Sequence, residues 1–317
     1  MKKYELIKQE SGFFRIKALK DFGNIKKGEL GGLIQKESNL SQYDDAWVYD
    51  NAKVYGNACV YGNAKVCDDA EVYYNAKIYD DALVCGNAKV YGDAEVYGNA
   101  NVYGNAKIYG DAKIYGYAEV YGYAEVYGNA RIYSYAEVYD DAKIYGYAEV
   151  YGNAKIYGDA KIYGNTEVCD NAEVYGDAKI YGNARIYSYA EVCDNAEVYD
   201  DAKIYGYAEV YGNAKIYGDA EVYGYAEVYG NAKVYDSILI IGTIHEKFIK
   251  ISFVQCEKRI MTIYKDVNGY LRCNIGCQKG MTLEDLLKRI KQDGGMKPHR
   301  QQYVNIMKNA KSILNIE

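Results

Sequence analysis

The chain has 317 residues, with 41 Tyr, 32 Gly, a single Pro and a net charge of −6. This biased composition favours a repeat architecture over an ordinary globular domain, and the negative charge argues against general nucleic-acid binding. No apolar run approaches about 18 residues, so no membrane-spanning helix is expected, and the first residues lack the apolar segment of a signal peptide. Eight Cys without a paired spacing framework predict reduced thiols in a cytoplasmic protein.

Residues 1–36 form the first predicted unit. The segments KYELI and FFRIKAL alternate as strands do, and GNIKKGELGG is typical of turns. Because the bare end of a stacked β-structure would leave a sheet edge open, we predict that these residues form a small β cap.

Residues 46–237 repeat with a period of six, which gives 32 hexads beginning at Ala46. Position one is Ala except at Thr166, position two is mostly Lys or Glu, and position three is always Val or Ile. Position four is Tyr in 28 hexads, and the others hold Cys67, Cys85, Cys169 and Cys193. The alternation over positions one to four predicts a short strand. Gly, Asp and Asn at positions five and six tolerate the backbone angles of a sharp corner.

A single hexad cannot fold alone. It buries one aliphatic side chain, which contributes about 1.5–3 kcal/mol, whereas ordering its backbone costs about 6–12 kcal/mol of conformational entropy. Copies must therefore stack. The sequence predicts an all-β parallel β-solenoid with Ala and Val or Ile inside, and with Lys or Glu and Tyr outside.

The spacing of unusual residues indicates how many hexads make one coil. Seven tyrosines stand at position six, the corner of the hexad, and five of them are separated by multiples of three hexads. The position-two charges also sort on this spacing into one mainly acidic series, one mainly basic series and one mixed series. We therefore predict a three-sided β-helix with three hexads in each coil, in which Val120, Val138 and Ile156 stack on one another. A coil of two hexads would instead stack Val120 on Ile132.

The repeat VYGNAK resembles the hexapeptide signature of left-handed β-helices, and residues 18–58 resemble more specifically the YdcK-like family of bacterial and prophage hexapeptide-repeat proteins. The resemblance extends from the amino terminus to about Tyr235. It implies a left-handed winding and a bacterial, possibly phage-encoded, cytoplasmic protein. It also implies a comparison with acyltransferases, because members are mostly described by analogy to those enzymes.

Residues 244–317 are predicted to form a small α+β domain after the β-helix of residues 37–243. Strands are expected in KISFVQC and IMTIYKDVNGYLRCNIGC, with a hairpin turn at Asn268-Gly269. Thr282 and Asp285 indicate a helix start, and Pro298 indicates a second helix. Residues 238–243 continue the period of six but have apolar residues at the outward positions, Leu239 and Ile241, so we expect this domain to cover them.

The residues that could carry chemistry are few. Acyltransferases of the hexapeptide class use a His on the solenoid, whereas the 32 hexads here contain none and the only His are His245 and His299. Cys273 and Cys277 lack the paired spacing of a zinc site. Cys67 and Cys85 should stack within disulfide distance yet remain thiols in a cytoplasm. We predict no catalytic residue, no cofactor and no metal, with an acyltransferase-like enzyme as the alternative.

Binding or assembly is the predicted function, because outward tyrosines would make an aromatic surface far larger than is usual for a monomer. The partner would be a protein or a second copy of the chain, rather than a membrane or a nucleic acid. Two alternatives stay open, which are tyrosines that serve sheet stability alone and a prophage-encoded inhibitor or decoy of a host protein. The candidate partner-binding residues are Glu119, Glu137, Glu173, Glu191, Glu209, Glu227, Tyr117, Tyr135, Tyr189, Tyr207 and Tyr225.

Overall fold

The computed structural model describes residues 2–234, 239–240, 243–245, 248–252, 260–265, 270–275, 278–292, 303–306 and 310. Within these residues the chain is an all-β parallel solenoid over its repeats, because repeat strands of the same compact unit pair in parallel with strands three hexads further along the chain. It divides into two compact units, Met1–Asn171 and Ala172–Glu317. The left-handed winding stays a prediction from the resemblance.

The register of the strands confirms the three-sided coil. Val120 pairs with Val138, and Val138 pairs with Ile156, each in parallel orientation. Ile132 belongs to another sheet, where it pairs with Ile114 and Val150. The coil of two hexads is therefore excluded.

In the first unit the repeat strands form three sheets, which we number 1 to 3. Sheet 1 contains Leu30–Ile34, Lys53–Val54, Glu71–Val72, Lys89–Val90, Lys107–Ile108, Glu125–Val126, Lys143–Gly146 and Lys161–Gly164. Sheet 2 contains Cys59–Val60, Lys77–Ile78, Glu95–Val96, Lys113–Ile114, Arg131–Ile132, Glu149–Val150 and Glu167–Val168. Sheet 3 contains Trp47–Val48, Lys65–Val66, Leu83–Val84, Asn101–Val102, Glu119–Val120, Glu137–Val138 and Lys155–Ile156.

In the second unit the strands are numbered by the same spacing of three hexads. Sheet 1 contains Lys179–Ile180, Glu197–Val198, Lys215–Ile216 and Lys233–Val234. Sheet 2 contains Arg185–Ile186, Lys203–Ile204, Glu221–Val222 and Leu239–Ile240. Sheet 3 contains Glu173–Val174, Glu191–Val192, Glu209–Val210, Glu227–Val228 and Thr243–His245.

The core consists of the position-one and position-three side chains, as the alternation predicts. From Ala46 to Val234 these Ala, Val and Ile residues are fully buried or within 2% of it. The corners depend on position five, where the backbone is left-handed. Gly104 has a φ of +70°, and a Cβ there would lie 3.0 Å from the backbone nitrogen of Gly122 in the next coil, so this corner favours glycine.

The amino-terminal residues cover the first coil, as predicted. Tyr4–Lys8 and Phe14–Ala18 pair antiparallel, and Phe14–Ala18 also pairs antiparallel with Leu30–Ile34. The strand Leu30–Ile34 then stacks in parallel on Lys53–Val54, so the solenoid begins before the hexads do. A short 3-10 helix, Glu37–Asn39, follows.

A buried aromatic cluster anchors this cap. Trp47 is fully buried and makes edge contacts with the rings of Tyr4 and Phe22. The Lys3 ammonium lies under the same cluster and donates to the backbone oxygens of Asp44 and Ala46, at 2.9 and 2.8 Å. Burial lowers the pKa of Lys3 to about 8.

After Thr243–His245 the chain continues as antiparallel strands Phe248–Ser252, Ile260–Lys265, Leu271–Ile275 and Gln278–Met281. The helix Leu283–Gln292 follows, and Thr282 and Asp285 form the predicted cap through mutual hydrogen bonds of 2.8–3.1 Å. Asn268, Gly269, Ile241 and Pro298 lie outside the described residues. The domain boundaries at residues 36 and 243 stay predictions.

Thr166→Ala is expected to stabilise the first unit. Thr166 is the only position-one residue other than Ala in the hexads, and its buried hydroxyl lacks a hydrogen-bond partner among the described residues. Leaving such a group unpaired costs about 1–3 kcal/mol. The urea midpoint of Thr166→Ala, followed by circular dichroism, should therefore exceed that of the wild type. The matched variant Ala148→Thr, one coil earlier, should lower it, and a lower midpoint for Thr166→Ala would contradict this account.

Candidate interaction surface

The position-four tyrosines form ladders of stacked rings on the outside of the solenoid, as predicted. Tyr121 stacks between Tyr103 and Tyr139 with 4.9 Å between ring centroids on both sides and interplanar angles of 2° and 4°. Across the ladders the centroid spacing is 4.6–5.2 Å. This spacing is that of the parallel strands themselves, so the backbone sets the aromatic stack.

Several tyrosine hydroxyls donate to a Glu carboxylate of the next coil. The donors and acceptors lie 3.1–3.3 Å apart in the pairs Tyr55–Glu71, Tyr79–Glu95, Tyr103–Glu119, Tyr133–Glu149, Tyr175–Glu191 and Tyr205–Glu221. Burial and the charge of Glu119 raise the pKa of Tyr103 to about 12. Sequence reasoning missed this pairing, although its signal is the regular recurrence of a position-two Glu one coil after a position-four Tyr.

Sheet 1 of the second unit contains a position-two charge that is balanced on both sides. Glu197 lies between Lys179 and Lys215, with nitrogen-to-oxygen distances of 3.3 and 2.7 Å. Partial burial opposes ionisation, but the hydrogen bonds from Lys215, Tyr199 and Lys179 prevail and lower the pKa of Glu197 to about 2. This carboxylate is held charged.

Sheet 3 places the predicted glutamates beside one another. In the second unit Glu173 pairs in register with Glu191, Glu191 with Glu209, and Glu209 with Glu227. In the first unit Glu119 pairs with Glu137. The structure thus brings the six predicted glutamates together in two groups, one in each unit.

Glu209 is the least compensated of these glutamates. The position-four residue of the preceding coil, where a tyrosine donor would stand, is Cys193. Partial burial, together with the charges of Glu191 and Glu227, raises the pKa of Glu209 above its usual value. Its carboxylate is therefore destabilised in the free protein.

The corner tyrosines stack beside these glutamates and are far more exposed than the ladder tyrosines. Tyr117 and Tyr135 lie 5.0 Å apart with 53% and 60% of their surface exposed. In the second unit Tyr207 stacks on Tyr189 and Tyr225 at 4.9 and 5.1 Å, and 79% of Tyr225 is exposed. Each of the five precedes a sheet-3 residue at position two by two places in the chain.

The turn itself does not require tyrosine at the corner. Where Asn or Asp occupies position six, the side chains of successive coils can join directly, as in the hydrogen bond from Asn63 Nδ2 to Asp81 Oδ1 at 3.0 Å. A corner tyrosine replaces this amide with an exposed ring. The exchange favours a role in contact with another molecule over a role in the turn.

A groove of about 380 Å³ lies at the end of sheet 3 beside the amino-terminal cap, in the first unit. Its lining comprises Gly23, Asn24, Ile25, Asp45, Tyr49, Asn63, Lys65, Asp81, Leu83 and Asn101. Sequence reasoning missed it. The signal was present, because Trp47, Leu83 and Asn101 on this sheet are three of the four hexad residues at position two that carry no charge.

The cysteine prediction was wrong for one pair. Cys67 and Cys85 stack at a Cα distance of 4.6 Å and are joined by a disulfide, not left as thiols. With Asp68 they form the one group of three potential metal ligands among the described residues, but the disulfide occupies both sulfurs. Stacking at the strand spacing brings the two side chains within bonding reach.

The other candidate groups do not come together in the described part of the chain. Cys273 is buried, and burial raises its thiol pKa to about 12. His245 ends a strand of sheet 3, whereas Cys277 and His299 lie outside the described residues. No helix in the described ranges has the length and apolarity needed to cross a membrane.

Neither the comparison with models of known protein families nor the search of curated proteins gave a match. The assignment to the YdcK-like family therefore stays a prediction from the resemblance of residues 18–58.

Glu209→Gln is expected to stabilise the second unit, because it removes repulsion of about 1 kcal/mol from each like charge at the strand spacing. Glu197→Gln should destabilise it, because it removes the partner of two lysines. Both changes are at position two in the same unit, which makes them a matched pair. The measurement is the urea midpoint at low and high salt, where added salt should shrink both effects.

The difference between wild type and Glu209→Gln should depend on pH. A carboxyl whose pKa is raised by folding stabilises the fold below its unfolded pKa, about 4.3 for Glu, and this contribution is lost as the pH rises through the folded value. The variant should therefore be more stable than the wild type at pH 7 and similar to it near pH 4. Equal stabilities at both pH values would show that the Glu209 charge is fully screened.

Proposed function

We propose that this chain is a non-catalytic binding scaffold whose sheet 3, with the corner tyrosines beside it, takes a basic protein surface. The observation that carries the proposal is the register of Glu173, Glu191, Glu209 and Glu227 on one sheet of the second unit. The stacked Tyr189, Tyr207 and Tyr225 accompany these glutamates.

The energetic argument concerns the free protein. Like charges repeated at the strand spacing repel one another by about 1 kcal/mol per contact in water, and partial burial together with this repulsion raises the pKa of Glu209. On sheet 1 of the same unit, Glu197 lies between two lysines that offset its charge. A partner that brings lysine or arginine to sheet 3 would supply the missing countercharges.

The tyrosines suit the same partner. A tyrosine ring attracts a lysine or arginine cation over its face by about 0.5–1 kcal/mol at exposed sites, and tyrosine is enriched at protein interfaces. The corner tyrosines and the sheet-3 glutamates therefore both favour basic side chains. Binding to a basic protein surface should weaken as salt is added.

A lysine-rich peptide provides the first test, with binding followed by fluorescence anisotropy at low and high salt. Combining Glu191→Gln, Glu209→Gln and Glu227→Gln should weaken binding about tenfold or more, because three neighbouring carboxylates of sheet 3 lose their charge. The tyrosine variant, Tyr189→Asn with Tyr207→Asn and Tyr225→Asn, should weaken it less. Asn is the repeat's own corner residue, so the fold should be retained.

The matched control neutralises three glutamates that already have a lysine or arginine partner, namely Glu95, Glu125 and Glu149. This control removes the same net charge, but it should leave affinity within about twofold of the wild type. Equal loss in the control and in the sheet-3 variant would show that only net charge attracts the peptide, and the proposal would fail.

A further inference from the structure

We propose that sheet 3 of the first unit pairs with the same surface of a second copy of this chain, with the two solenoids antiparallel. The inference rests on the proposed function, since it takes the corner tyrosines and sheet-3 glutamates as binding groups and names the partner for those of the first unit.

The corner residues and the position-two residues of sheet 3 share one surface. The groove shows this, because Asn63 and Asp81 line it from the corner while Lys65, Leu83 and Asn101 line it from the strands. Successive residues of each series lie one coil apart, at about 4.8 Å. A second copy has the same spacing, so its contacts can meet this surface at every coil.

When two copies of this surface face each other in opposite directions, the residues of one copy are complementary to those of the other. The corner series is Asp45, Asn63, Asp81, Asn99, Tyr117 and Tyr135, and the strand series is Trp47, Lys65, Leu83, Asn101, Glu119 and Glu137. A two-fold axis at the level of Asn101, perpendicular to the stacking direction, sets each series against itself in the opposite direction. Such an axis gives an isologous dimer, in which each contact occurs twice.

The pairings on the two sides of this axis match in charge and hydrogen bonding. Lys65 faces Glu137 of the second copy, and the Tyr117 hydroxyl reaches the carboxylate of Asp81 in the other chain's groove. Tyr135 meets Asn63 in the same way. The groove receives two rings that are already stacked 5.0 Å apart.

Lys65 has no countercharge beside it on its own sheet. Its neighbours in register are Trp47 and Leu83, neither of which is charged. Within the described residues it makes no salt bridge. Glu137 is also poorly balanced, because Glu119 flanks it on one side and Lys155 on the other.

One pairing in this dimer is unfavourable, because the apolar Leu83 of one copy lies against the charged Glu119 of the other. That carboxylate already accepts hydrogen bonds from Tyr103 and Asn101 of its own chain, at 3.3 and 3.5 Å. Its charge is therefore partly satisfied before the copies meet.

The register is bounded on both sides. A shift of one coil in one direction would set Lys65 against Lys155 of the second copy. A shift in the other direction would press Tyr135 onto Asp45, beside which Gly23 of the cap already lies. The register between these two keeps Lys65 away from Lys155 of the second copy and keeps Tyr135 away from Asp45.

The second unit lacks this self-complementarity. Its described sheet-3 strands carry only glutamate at position two in the hexads, at residues 173, 191, 209 and 227. Two such surfaces would repel each other. The second copy is therefore the partner of the first unit alone, and another basic surface remains the partner of the second.

Sedimentation velocity of the full chain over a range of concentrations is the test. The wild type should show a dimer that weakens with salt. Lys65→Glu and Glu137→Lys should each raise the dimer dissociation constant about tenfold or more, which corresponds to about 1.4 kcal/mol. An equal mixture of these two variants should recover dimers, because each chain then presents the charge that the other needs.

Glu119→Lys is the matched control, since it reverses a neighbouring charge of the same sheet that faces Leu83 and not Lys65. It should raise the dissociation constant by less than Glu137→Lys does. Tyr117→Asn combined with Tyr135→Asn should also weaken the dimer while leaving the melting temperature close to that of the wild type. If Lys65→Glu does not fold, Lys65→Gln should still weaken the dimer.

A wild type that stays monomeric at every concentration, or a mixture that does not recover dimers, overturns the inference. A monomer that still binds the lysine-rich peptide through the second unit would leave the proposed function standing. Conversely, a dimer in a protein whose sheet-3 variants all bind the peptide equally would support this inference in the first unit and reject the proposed function for the second.

Discussion

The parallel backbone ladder, with its register of three hexads per coil, is the constraint on which the other features of the solenoid depend. Glu119 donates its backbone N–H to Ala136, and Tyr121 donates to Val138, each at 3.0 Å. These bonds hold every side chain about 4.8 Å from its counterpart in the next coil. Each position must therefore tolerate a copy of itself on both sides, and the composition of the repeat follows from this requirement.

Uncharged side chains meet this requirement readily, and charged ones do not. Tyrosine rings stack face to face at this spacing, corner amides join one another, and Val or Ile fills the core without a change of shape. Like charges repel, so Glu197 between Lys179 and Lys215 is the favourable arrangement. Sheet 3 of the second unit departs from it, and stability alone gives no reason for that departure.

The sequence predicted those features that arise from the period. Alternation over positions one to four places Val120 inside and Tyr121 outside, and the three-hexad spacing of Tyr117 and Tyr135 predicts the coil in which these two rings stack. The groove depends on the cap segment near Gly23, whose position no periodic pattern specifies. The strand Leu30–Ile34 was missed as a solenoid strand because its sequence, LGGLI, lacks the hexad pattern. The cysteine pair was predicted to stack, but its bonding was inferred from an assumed compartment and not from geometry.

In a solenoid of nearly identical coils, departures from the repeat are the only local source of specificity. A uniform surface would present the same chemistry to a partner at every coil, and the partner could slip by one coil at no cost. Leu83 and Asn101 interrupt that uniformity in the first unit, and Cys193 interrupts it in the second by replacing the tyrosine that would donate to Glu209. Leu83 and Asn101 line the groove beside the cap, and Cys193 leaves Glu209 without a tyrosine donor from the preceding coil, so departures from the repeat distinguish both candidate surfaces from the uniform coils.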